Sequence, residues 1–377
     1  MSPPGEVGWF MLNAHVDRTG SYPEGLTSIL SLARAAEAHA HIRQWAGYAP
    51  TPMRSLPAMA AGSGVAELLY KDEGLRFTLR SFKALGGAYA VDRIVAARGG
   101  AEGLTVTCAT DGNHGRAVAW GAHRAGARAV IYVHEHVSEG RAEAIRSFGA
   151  TIIREGANYD ASVRAASAAA ARNGWQIVSD TAWPGYEDVP RDVMQGYAVL
   201  AMEAADQGAK PTHVFIQGGV GGVAAAILSH AWERHGAARP VIVVVEPENA
   251  ACLMASAQAG GLRNVEGDLD TIIAGLACGE PSTLAWRILH PGADAFMTIS
   301  DAAAMAAMRN LADLGIVGGE SGVAGLAGFL RVAHDPAARL ALGITATSRI
   351  LCYGTEGATD PAVYTDIVGK TPGEIAP

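Results

Sequence analysis

The chain has 377 residues, 49% hydrophobic and 18% charged, so it can bury a sizeable core and is not a disordered polymer. Asp and Glu outnumber Lys and Arg by 37 to 29, a net charge of −8, which argues against a nucleic-acid partner. Only four of the basic residues are lysines, namely Lys71, Lys83, Lys210 and Lys370, so any mechanism that needs a lysine amine has four candidates.

The N-terminal segment has no basic stretch followed by an apolar run, so it does not read as a signal peptide. No stretch approaches 18 apolar residues, and a soluble protein without a membrane partner is expected. Cys108, Cys252, Cys278 and Cys352 show no CxxC spacing, which makes a reducing, cytoplasmic setting the default. In chain order, residues 25–46 carry apolar positions at helical spacing. An extended, proline-punctuated segment follows. Strands are then expected at 66–71, 104–109, 129–134, 150–154, 176–179, 213–217, 241–246 and 349–353. Helices are expected at 83–98, 114–125, 138–147, 160–172, 191–207, 222–235, 249–258, 302–314 and 322–334. This alternation predicts an α/β protein with open, mainly parallel twisted sheets and helices on both faces. The uneven connections fit two such units better than one barrel. Ligands in such sheets sit at the carboxyl ends of strands, where the Gly-rich segments fall.

Three segments carry chemistry. In "RFTLRSFKALGGAYA", Lys83 stands where an extended stretch enters a helix, between Phe82 and a double glycine. The positive end of a helix dipole favours a neutral amine, which Schiff-base formation requires. In "CATDGNHGRAVAW", a strand breaks into Thr110-Asp111-Gly112-Asn113-His114 and then a helix. Such a turn exposes backbone N–H groups to a carboxylate or oxyanion, and Asp111 is either a general base or the N-cap of that helix. In "FIQGGVGGVAAA", a strand ends in Gly218-Gly219-Val220-Gly221-Gly222 and opens a helix, a phosphate cradle. Gly219, Gly221 and Ala224 also fit GxGxxA, with Glu246 ending a strand downstream, the layout that grips a dinucleotide ribose. The loop alone therefore leaves a nicotinamide dehydrogenase and a smaller phosphorylated cofactor both open. "HEH" places His134 and His136 on one face of a strand with no obvious third ligand, so no metal is expected.

The order of these segments resembles the fold type II family of pyridoxal-phosphate enzymes, and within it the ammonia-lyases that act on 2,3-diaminopropionate. The resemblance rests on "KDEGLRFTLRSFKALGGAYA", "ATDGNHGRAVAW", "DTAWPGYEDVPRDVMQGY", "QGGVGG", "VEPENAACL" and "TEGATD", and spans nearly the whole chain. It implies a larger cofactor-binding domain of residues 1–87 and 186–377, a smaller substrate-side domain of 88–185, and a homodimer. It implies pyridoxal 5'-phosphate as cofactor, with Lys83 as its Schiff-base lysine, Phe82 against its ring, Asn113 on its phenolic oxygen and Gly218 to Gly222 on its phosphate. Thr110, Asp111, Gly112, Asn113 and His114 would hold the substrate carboxylate. Lys83 and Asp111 would act as bases for the L- and D-isomers, and Asp180 would keep the leaving β-amine protonated. In a partly dry site each Asp is expected to titrate above its free value. The family usually places Ser where this chain has Gly354, so Thr355 or Cys352 is the expected partner of the pyridine nitrogen, with Glu320 close to the ring. Cys252 and Cys278 lie in segments that match the family near the site, and two buried thiols are expected there. The nearest alternative activity is β-elimination on D- or L-serine.

Overall fold

The computed structural model describes residues 8–110, 112–157 and 159–376, and for Asp160 the backbone alone. Eleven strands are described: β1 (Phe10–Leu12), β2 (Met53–Ser55), β3 (Glu67–Asp72), β4 (Thr105–Ala109), β5 (Arg128–Val133), β6 (Thr151–Arg154), β7 (Gln176–Ile177), β8 (His213–Gln217), β9 (Val241–Pro247), β10 (Ala295–Ile299) and β11 (Arg349–Gly354). They form two sheets, in the order β1-β10-β9-β8-β11-β3-β2 and β6-β5-β4-β7. Only the edge strands β1 and β2 pair antiparallel. The inner strands are all parallel, and β8, β4 and β10 are buried along their whole length, as expected of strands covered on both faces. This is the α/β architecture that the alternating pattern predicts.

The strand and helix expectations from 66 onward fall on observed elements, with ends shifted by a few residues. The expected strand at 176–179 shortens to Gln176–Ile177, and the helix expected from 191 starts at Asp188. Residues 25–46 are not one helix. Helix Glu24–Thr27 stops, and Leu32–Ile42 restarts behind Ser31, which is extended (φ −150°) and whose Oγ accepts from Arg34 N at 3.3 Å. The apolar period continues through this break because Ile29 and Leu30 are buried in the connection itself. Three strands, β1, β2 and β10, have no counterpart among the expected ones. Two of them hold only three residues, too short to show a period.

The carboxyl ends of β8, β11 and β4 open toward one cleft of about 900 Å³ including its open mouth, and the helices Lys83–Arg98, Asn113–Ala125 and Gly222–His235 begin beside it. Among the described residues, no helix is long and apolar enough to cross a membrane.

Candidate active site

The three chemical segments meet in this cleft. Phe82, Lys83, Thr110, Gly112, Asn113, His114, Asp180, Gly218, Gly219, Val220, Gly222 and Thr355 all line it. Asp111 lies outside the described residues.

Lys83 opens its helix with Phe82 as the preceding cap residue. Its Nζ is ion-paired with Asp180 Oδ2. Burial alone would favour the neutral amine, but Asp180 outweighs it and holds the ammonium well above the ordinary lysine range. This corrects the neutral-amine expectation: a contact ion pair is stronger than the partial charge of a helix end. Asp180 is corrected in the same way. Burial raises it, but the Lys83 ammonium outweighs that and holds it well below the usual carboxylate range. The Phe82 ring lies 4.6 Å from that of Tyr197, and Lys83 Nζ lies 5.3 Å from the Phe82 centroid.

His114 Nε2 is 2.7 Å from Val178 O, and a carbonyl only accepts, so Nε2 carries the proton. Burial keeps the ring below the ordinary histidine range, hence neutral. The bare Nδ1 then faces Asp180 Oδ2 at 3.7 Å. Thr110 Oγ1 accepts from Gly112 N at 2.9 Å and Gly115 N at 3.0 Å, so those two N–H groups brace the turn itself.

Gly219 and Gly221 adopt φ of 59° and 97°, a left-handed backbone that wraps the start of the Gly222–His235 helix. The strand side of this loop is closed, because a Cβ on Gly218 would stand 2.6 Å from Glu246 Cγ. That contact also decides between the two cofactor readings. Glu246 is fully buried, and its carboxylate accepts from Leu253 N at 2.9 Å and Met254 N at 2.8 Å, so it caps the Cys252–Ala259 helix and does not face a ribose. Burial pushes its carboxyl up to about 8. An anion cradle whose cleft also holds a single lysine amine fits a phosphorylated aldehyde such as pyridoxal phosphate.

Glu356 and Arg141 also line the cleft without having been singled out in the sequence, whereas Glu320 was expected close to the ring. Glu356 Oε1 accepts from Ser321 N at 2.9 Å, and its Oε2 accepts from Asn113 Nδ2. Asn113 is thus tied to a carboxylate that sequence reasoning passed over, although "TEGATD" contains it. Glu320 Oε1 accepts from Arg141 Nη2 at 2.5 Å, while its buried Oε2 has no partner. Burial and then Glu356 push the Glu320 carboxyl up to about 7. Asp360 accepts from Ser138 Oγ at 2.7 Å and lies 3.8 Å from Arg141 Nε. Ser138 caps the helix Glu139–Arg146 after β5 and Arg141 lies in its first turn, so they join the side of the four-stranded sheet to loops of the seven-stranded one.

Thr355 Oγ1 accepts from Gln217 Nε2 at 3.2 Å. An amide nitrogen has no free lone pair, so the threonine proton must be donated elsewhere. Cys352 is fully buried in the core and is absent from the cleft wall, which removes it as an alternative. A side chain at Gly354 would run into the ring of Tyr70, which explains glycine there. Cys252 is buried and Cys278 half-buried, and neither is in a disulfide. His134 and His136 sit after β5 in a turn rather than on the strand, with ring centroids 6.0 Å apart.

Residues 45–346 match the model of the family described as pyridoxal-phosphate dependent enzyme. The diaminopropionate ammonia-lyase of Escherichia coli K12 is 38% identical over 93% of this chain and 94% of its own length. A crystal structure of the Escherichia coli enzyme with an aminoacrylate–PLP azomethine reaction intermediate superposes with a TM-score of 0.89 at 36% identity, covering 97% of both chains. A second, with D-serine, gives 0.88 at 35% identity over 95% of this chain and 96% of that one. A nicotinamide dehydrogenase is thereby excluded, and the chain belongs to the pyridoxal-phosphate dependent enzymes, in the branch of the diaminopropionate ammonia-lyases.

Proposed function

We propose that this protein carries out the α,β-elimination of 2,3-diaminopropionate, releasing pyruvate and two molecules of ammonia with uptake of one water. When bound, pyridoxal phosphate supplies the electron sink for loss of the Cα proton. The glycine loop 218–222 and the helix it opens hold a phosphate by backbone N–H groups. Lys83 Nζ, once it has given its proton to solvent, takes the Cα proton of the L-isomer. Asp111 takes that of the D-isomer from the opposite face. Asp180 then stabilises the substrate's β-ammonium, because neutral ammonia leaves far more readily than amide ion. His114 Nδ1, bare and beside Asp180, offers an acceptor for the proton in transit.

The observation that carries this reading is the charge of the cleft. Among the described residues, Asp180, Glu320 and Glu356 line it against Lys83 and Arg141. Such a wall suits a substrate with two amines. Serine elimination is the second reading, favoured by the D-serine complex of the Escherichia coli relative. Steady-state kinetics on diaminopropionate and serine separates them: kcat/KM at least ~100-fold higher for diaminopropionate supports the proposal, and a preference for serine overturns it. Division into residues 1–87 with 186–377 and residues 88–185, a homodimer and a cytoplasmic setting belong to the same proposal. Cysteines held outside disulfides fit the last of these.

A further inference from the structure

A second cavity, of about 700 Å³ including its open mouth, lies between the C-terminal halves of the helices Asp188–Asp206 and Gly222–His235, over β8 and β11. It is separate from the cleft and shares no lining residue with it. The floor is apolar, made by Ala201, Ala204, Val214, Ile227 and Leu351, all at most 4% exposed.

The charged groups around this floor, Lys210 and Arg349, are of one sign. Lys210, His235 and Arg349 stand at the mouth, all exposed, and none forms an ion pair among the described residues. Arg349 spends only Nε on the protein, donating to Lys210 O at 2.6 Å, which leaves both Nη groups available. His230 lies deeper in the wall, 7% exposed, and makes no hydrogen bond. Burial, Arg234 and His235 lower it to about 4, so it is neutral and offers one donor and one acceptor. The nearby acid acting on it is Asp206, which lies outside the cavity lining. In a chain of net charge −8, unpaired cations around an apolar hollow are complementary to an anion with an apolar body.

We propose that this cavity is a binding site for a small monocarboxylate with an aliphatic or aromatic body. The carboxylate takes the Arg349 guanidinium and Lys210 at the mouth, and the apolar body lies on the alanine floor, its inner end reaching toward His230 and Tyr353. Tyr353 immediately precedes the Gly354–Thr355 segment of the cleft, and the Gly222–His235 helix begins at the glycine loop. Occupancy therefore touches two elements that also carry cleft residues.

Titration calorimetry of the holoenzyme with 4-phenylbutyrate tests this, with 4-phenylbutylamine as the control of opposite charge. The expected result is one site per chain with a dissociation constant of ~0.1–1 mM for the acid, and at least ~10-fold weaker binding of the amine. Lys210→Gln with Arg349→Gln, both at exposed positions, should weaken the acid at least ~10-fold. Ala205→Trp, which fills the cavity, should abolish the heat while leaving the sedimentation coefficient unchanged. The proposal is overturned if the wild-type holoenzyme gives no saturable heat, if the amine binds as well as the acid, or if neither variant weakens binding. It is also overturned if Ala205→Trp dissociates an oligomer, because a second copy of the chain then covers this face.

Discussion

Lys83 and Asp180 come from segments 97 residues apart, yet they form one ion pair in which each fixes the charge of the other. Lys83→Ala should abolish turnover and leave the purified protein without the yellow colour of a lysine-bound cofactor. Retained turnover would refute the lysine's role. Asp180→Asn removes the acid that holds the lysine protonated, so the amine should titrate lower and the rising, acidic limb of the pH–rate profile, set by the base that must be deprotonated, should move to lower pH. An unmoved limb would show that another group sets it. Asp111→Asn should cost the D-isomer more than the L-isomer, measured as kcat/KM on each. The lysine was legible in the sequence because an amine beside an aromatic and a double glycine at a helix start is a rare arrangement. Its charge was not, because that depends on Asp180, which no local spacing brings near. Glu356 and Arg141 were missed for the same reason: they act through pairings 243 and 179 residues away in the chain.

The decisive contacts among elements are those made where glycine leaves room. Gly354 lets the ring of Tyr70 pass against β11, and Gly354→Ser should destabilise the fold by ~1–3 kcal/mol through overpacking. Thermal unfolding of this variant beside Tyr70→Phe checks it; an unchanged Tm would remove the close contact. Glu246 gives a pH test. Its folded-state value is raised above the unfolded one, so the native state binds more protons, and stability is fully present below the unfolded value near 4.5 and is lost as pH rises toward about 8. Urea unfolding should therefore show stability falling across pH 5–8, and Glu246→Gln should flatten that slope. An identical slope in the variant would contradict the assignment. Long parallel strands and capped helices were legible because they carry their own period and punctuation. β1 and β2 exist only through pairing with β10 and β3, and the 25–46 period hid a break that tertiary packing imposes.

At the scale of the molecule, two parallel sheets meet a common cleft, and the acids that face it arrive from loops of both. Arg141 ties the smaller sheet's helix to Glu320 and Asp360 at the cleft. The overall plan follows from strand and helix alternation, and the resemblance in the motifs supplied the chemistry that fits it. The excess of carboxylates over cations in the cleft was not visible in any one segment, and it suits the diamine proposed as substrate. The most direct measurement is pyruvate and ammonia release by the purified holoenzyme from D- and L-2,3-diaminopropionate supplied separately. Both isomers should yield pyruvate and ammonia in a ratio of one to two, and the Lys83→Ala protein should yield neither. Holoenzyme that gives no pyruvate above the blank from either isomer would contradict the account.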